Sequence, residues 1–103
     1  MKYGIIRTDT ADALIREIIL YIAENFGNSV ALKKLGELEE AILSLGDNPY
    51  IGTTPKYNVL KRQGYMVLIL EKNLVFYKIK EKIVTVYTVL GQIQNYLDII
   101  RGL

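Results

Sequence analysis

Residues 56–90, KYNVLKRQGYMVLILEKNLVFYKIKEKIVTVYTVL, decide the fold. From Tyr57 to Leu90 they read as four short strand segments, broken at Gln63-Gly64, Glu71-Lys72-Asn73 and Lys80-Glu81-Lys82. Val, Ile, Leu, Tyr and Phe dominate, and no proline removes a ladder donor. Breaks this short join only antiparallel neighbours, because a parallel crossover needs roughly a dozen residues. The run is a β-meander. Tyr65 to Leu70 is apolar almost throughout, which predicts cover on both faces. Farther on, Leu74, Phe76 and Lys78 should face one way and Val75, Tyr77 and Ile79 the other.

Upstream, Tyr3 to Arg7 reads as a first strand. Thr8, Asp9 and Thr10 are candidate caps for a helix that carries Leu14, Ile15, Ile18, Ile19, Tyr21, Ile22 and Phe26 along a wide apolar face. Asp12 and Arg16 form an i,i+4 pair on it, and Gly27-Asn28 ends it. Asn28 or Ser29 should cap a second helix running to about Leu45, with a stripe of Ala31, Leu35, Leu38, Ile42 and Leu45. Gly36 weakens that helix by about 1 kcal/mol unless a neighbouring helix approaches it closely. A link of two or three residues makes the pair an antiparallel hairpin. Gly46-Asp47-Asn48-Pro49 opens a loop, and Gln92 to Ile100, with Ile93, Tyr96, Leu97 and Ile100, reads as a short C-terminal helix. The order β-α-α-β-β-β, with that last helix, predicts a single α+β domain over 1–103: a helical hairpin on a mostly antiparallel sheet.

Composition narrows the chemistry. The chain has no cysteine and no histidine, so it lacks a thiolate nucleophile, a disulfide framework, and the commonest general base and metal ligand. No Walker, dinucleotide or metal-ligand spacing occurs, and no cofactor is expected. Charges at Arg7 and Asp9 come too early for a signal peptide, and no apolar run approaches a membrane span, so a cytoplasmic location is expected. Half of the residues are hydrophobic, more than so short a chain buries by itself, which predicts an apolar surface covered by a partner.

A basic run accompanies the meander: Lys56, Lys61, Arg62, Lys72, Lys78, Lys80 and Lys82, interleaved with Tyr57, Tyr65, Tyr77 and Tyr87. Cations that hold phosphate beside rings that stack on bases would make an RNA-facing surface. The same residues also read as edge-strand lysines, turn residues and half-buried sheet tyrosines.

The ordered pieces AILSLGDNPYIG (with Pro49 and Gly52), VLKRQGYMVLILEKNLVFYKI (with Leu60, Lys61, Gly64 and Tyr65) and VTVYTVLGQIQNYLDII resemble the RelE/ParE toxins of bacterial and archaeal toxin–antitoxin pairs. The resemblance spans nearly the whole chain and implies a helical hairpin on a curved sheet. It implies a cognate antitoxin as partner, through helix-in-groove or added-strand contacts. One branch of the family cleaves messenger RNA in the ribosomal A site without metal: the 2′-hydroxyl attacks the adjacent phosphate while cationic, Tyr or His side chains stabilise charge or move protons. An mRNA interferase of this kind is the first function implied, with ribosome and mRNA as its targets.

The same resemblance shows where this chain departs from that branch. Met66 stands where the family's Gly-Tyr-Arg has arginine. Thr88-Val89-Leu90-Gly91-Gln92-Ile93 replaces Arg-Val-Leu-His-Gly-Arg, so two arginines and a histidine are missing. Tyr96 matches a position that some relatives use in catalysis, and Lys56, Lys61, Arg62 and Lys78 remain as RNA- or phosphate-binding candidates. These losses imply an endoribonuclease activity that is weak or absent. Two other functions then fit the resemblance: poisoning of DNA gyrase, which does not require those residues, or an inert scaffold that only binds antitoxin.

Overall fold

The computed structural model describes residues 2–91. Its elements are β1 (Gly4–Arg7), α1 (Asp9–Phe26), α2 (Asn28–Asp47), α3 (Asn58–Arg62), β2 (Met66–Ile69), β3 (Asn73–Lys80) and β4 (Ile83–Gly91). The α+β architecture is as expected, a helical hairpin against an open, mostly antiparallel sheet. The predicted C-terminal helix lies outside the described residues.

Strand order is β1-β4-β3-β2. The β2–β3 and β3–β4 pairs are antiparallel and tight-turned, as the short breaks require. β1 pairs in parallel with β4, Gly4 opposite Ile83 and Arg7 opposite Val86. One predicted segment changes type: Tyr57 to Arg62 is not a strand, because Asn58–Arg62 closes into the short helix α3 that buries Leu60. Cover on both faces of Tyr65–Leu70 is largely as expected: Tyr65 and Val67 are buried on one face and Leu68 on the other, where Met66 and Leu70 also pack. The Tyr65–Leu70 segment supplies the edge strand β2, with Ile69 59% exposed, whereas the inner strand β3 buries every residue from Asn73 to Tyr77.

The predicted alternation in β3 holds. Val75 and Tyr77 face the hairpin, in a core with Ala11, Ile15, Leu38, Ile42, Leu45, Val84, Val86 and Val89. Leu74 and Phe76 face the other way, with Leu60, Tyr65, Val67 and Leu90. A register shift in β4 sustains this pattern. Phe76 pairs with Thr88 but Tyr77 pairs with Val86, so Tyr87 is an extra residue that shifts the parity of the residues after it. Val89 therefore reaches the hairpin core instead of Thr88.

Thr8 caps α1 by accepting a hydrogen bond from the Ala11 amide at 3.1 Å. The link between the helices is Gly27 alone, at φ 97, which serves α1 as C-cap and α2 as N-cap. Asn28 thus begins the second helix and neither it nor Ser29 caps it. The predicted α2 stripe is buried apart from half-buried Leu35, but α1 fully buries only Ala11 and Ile15. Its distal residues Tyr21 and Phe26 are 61% and 64% exposed. Asp12 pairs with Arg7 at 2.9 Å instead of with Arg16. Arg7 also donates through Nη1 to both Glu39 carboxylate oxygens at 2.9 Å, tying β1 to both helices. That hydrogen bond raises the guanidinium pKa above its ordinary value; desolvation opposes it, and the fields of Glu39 and Asp12 each add a smaller upward contribution.

Candidate functional site

The sheet face turned away from the hairpin carries the charge. Because β3 alternates, Lys78 emerges there two residues beyond buried Phe76. Its ammonium lies 4.5 Å from the Tyr65 ring centroid and 5.2 Å from that of Tyr87. The two rings meet edge to face at 5.5 Å, and Tyr65 also meets Phe76 edge-on at 6.5 Å. Lys78 is thus a half-buried cation held against two aromatic faces, an arrangement worth about 0.5–2 kcal/mol per contact. Burial, and secondarily its neighbour Tyr87, raises the Tyr65 phenol pKa, so the group stays protonated and neutral.

A second tyrosine organises the approach to this face. Tyr77 is fully buried on the hairpin side, where its hydroxyl donates to the Pro49 carbonyl at 2.8 Å and accepts from the Gly52 amide at 3.1 Å. The loop comes so close that a Cβ at Gly52 would stand 2.7 Å from the Val67 carbonyl and overlap the Tyr77 hydroxyl. Thr53 then makes an antiparallel bridge to Val67, with both hydrogen bonds at 2.8 Å, which closes part of the β2 edge. Anchored in this way, the loop leads into α3, whose Leu60 packs beneath Tyr65 and Phe76 while Lys61 and Arg62 project from its last turn. Cations suit the carbonyl end of a helix.

The structure therefore brings Lys78, Tyr65, Tyr87 and the α3 pair Lys61 and Arg62 to one side of the sheet. Lys56 lies in the loop before α3, its ammonium 5.6 Å from the Tyr57 ring centroid. It does not bring Tyr77 there, and Lys72 lies at the β2–β3 turn on the wall of a different cleft. Tyr96 lies outside the described residues. Met66 packs against the hairpin core, opposite in direction to Tyr65 and Lys78. Thr88, where the resemblance places an arginine, is fully buried with its hydroxyl unpartnered. Among the described residues no group of three or more His, Cys, Asp or Glu side chains could hold a metal, and no helix is long and apolar enough to cross a membrane.

The hairpin overhangs the end of the sheet and leaves an open cleft of about 950 Å³. Leu14, Ile18, Tyr21, Phe26 and Val30 form its helical wall, and Leu70, Asn73 and Val89 form its sheet wall. Phe26 and Val30 are at least half exposed, as are Leu20, Leu32 and Leu43 elsewhere on the helices. This is the surplus apolar surface that composition required.

The sequence matches, over residues 5–96, the family described as ParE toxin of type II toxin-antitoxin system, parDE. The chain belongs to that family, and it is accordingly a toxin of the RelE/ParE class. No curated protein matches it. Solved structures share the fold at low identity. A chain from the chromosomal ParDE toxin–antitoxin system of P. aeruginosa has a TM-score of 0.74 at 20% identity, covering 87% of this chain and 96% of its own. One from the RelBE2 toxin–antitoxin complex of Mycobacterium tuberculosis has 0.66 at 16%, covering 89% and 100%. A conserved hypothetical protein of Helicobacter pylori, HP0894, has 0.53 at 16%, covering 87% and 94%.

Proposed function

We propose that this toxin arrests growth by binding DNA gyrase and not by cutting messenger RNA, and that a cognate antitoxin neutralises it by covering the cleft under the hairpin. The observation that carries this reading is the character of the charged face. It offers cations but, among the described residues, no group suited to moving protons near neutral pH. The chain has no histidine or cysteine, and Tyr65, the phenol most intimately part of the site, is pushed away from ionisation. Restoring the arginine at Met66 would not mend this, since that side chain belongs to the opposite side of the sheet. Loss of a single charge-stabilising donor typically costs about 10²–10³ in rate, and several are missing. The family match over residues 5–96 favours the same branch. Acting on gyrase would place the protein in the cytoplasm.

Primer extension on messenger RNA in a ribosome-containing translation reaction tests the distinction. The expected result is no new 5′ ends with this chain, or with its Met66→Arg variant. Codon-positioned cuts by the unmodified chain would establish the endoribonuclease reading instead, with Lys78, Lys61, Arg62 and Tyr96 as its candidate groups.

A further inference from the structure

Charge is segregated between the two layers of the fold. Residues 1–47, which form β1 and the hairpin, hold five Lys or Arg against eight Asp or Glu. Residues 48–91, which form the loop, α3 and the meander, hold seven against two, and those two, Glu71 and Glu81, sit in the turns before β3 and β4. So unequal a distribution focuses positive potential on one side of the molecule despite a net charge of only +2.

We infer that the sheet face bearing Lys78 and Lys80, with Lys61 and Arg62 of α3, binds the phosphodiester backbone of duplex DNA, with Lys78 as its fixed central cation. This rests on reading that face as the one turned to the target, where gyrase would present duplex DNA. The aromatic residues decide between nucleic acids. Recognition of single strands depends on rings with free faces on which bases stack. Here Tyr77 is fully buried on the other side, and Tyr65 is buried edge-on to Phe76 and Tyr87. Lys78 sits over both Tyr65 and Tyr87, and Lys56 lies over the ring of Tyr57. The rings beside Lys78 hold that cation; they do not form a platform. A surface whose central rings are engaged by a cation, with its exposed rings Tyr50 and Tyr57 confined to the loop before α3, suits a ligand whose bases are already paired and whose phosphates alone are presented. Because Lys78 is ordered by its two rings before any ligand arrives, little further side-chain freedom is lost on binding.

Fluorescence anisotropy of the full chain with a labelled duplex of about 30 base pairs, over a salt series, tests this without gyrase. It can therefore fail independently of the gyrase reading. With about four phosphates neutralised, log K should fall against log salt with a slope of about −3.6, roughly 150-fold between about 50 and 200 mM. Lys78→Met, which keeps the stem between the rings, should make the slope shallower by about 0.9, and Lys61→Ala with Arg62→Ala by about 1.8. Lys78→Arg should restore the slope, and Arg16→Ala on α1 should leave it unaltered. The Lys61 and Arg62 pair is exposed, so its test does not depend on the packing around Lys78. Tighter binding to single-stranded RNA of equal length would overturn the assignment, as would a slope indifferent to these variants. Gyrase inhibition that needs Lys78 in the absence of any DNA binding would also overturn it, and would assign the face to an acidic protein surface.

Discussion

Replacing Tyr77 by phenylalanine isolates the loop anchor. The ring would still fill its place among Val75, Val84 and Val86, but the hydroxyl that bridges Pro49 and Gly52 would be gone. The Pro49 carbonyl would lose a donor at 2.8 Å and the Gly52 amide an acceptor at 3.1 Å. A buried group deprived of its partner costs about 1–3 kcal/mol, and relief from burying a hydroxyl offsets part of that. The expected net loss is about 2 kcal/mol, a large share of the roughly 5–15 kcal/mol typical of a domain, or a fall in Tm of about 10 °C. Urea unfolding followed by circular dichroism should show a lower midpoint with an unchanged m-value. Tyr87→Phe is the control. Tyr87 is half-buried and makes no hydrogen bond through its hydroxyl among the described residues, so its loss should stay within about 0.5 kcal/mol. A Tyr77→Phe change as small as that of the control would refute the argument that this hydroxyl holds the loop.

Gly36→Ala should stabilise the protein by about 0.5–1 kcal/mol in the same assay, because the residue is exposed within α2 and nothing lies within 4 Å of the Cβ position. Arg7→Met should cost about 1 kcal/mol at low salt and less at high salt, since its partners Asp12 and Glu39 are both partly exposed. Burial holds Tyr65 and Tyr77 above their ordinary pKa, so above about pH 10 the unfolded chain releases protons that the folded chain retains. Stability should therefore be undiminished by these groups below about pH 10 and decline as pH rises through their folded values, with a flatter Tm profile in Tyr65→Phe than in the parent.

Much of this fold was legible because each element has its own period and punctuation. Short breaks fixed the meander, alternation assigned β3 to its two faces, and the α2 stripe named its buried residues. What escaped depended on distant contacts. Residues 58–62 carry β-compatible side chains, yet the preceding loop is pinned by Tyr77, and the chain turns helical to bury Leu60. Asp12 pairs with Arg7 and not with the local Arg16 because the parallel β1–β4 pairing brings Arg7 near. Lys78 was recognisable as a cation on one sheet face, but its aromatic seat depends on the extra residue Tyr87, which nothing in the local pattern marks. The structural use of Tyr77 was likewise hidden, although Pro49 and Gly52 were visible as features of the resemblance.

A gyrase supercoiling assay with the purified chain, with and without antitoxin, decides whether this toxin binds gyrase instead of cutting RNA. Inhibition of supercoiling with accumulation of cleaved linear DNA, both reversed by antitoxin, is the expected result. Supercoiling that proceeds unchanged at toxin concentrations well above that of gyrase would contradict it.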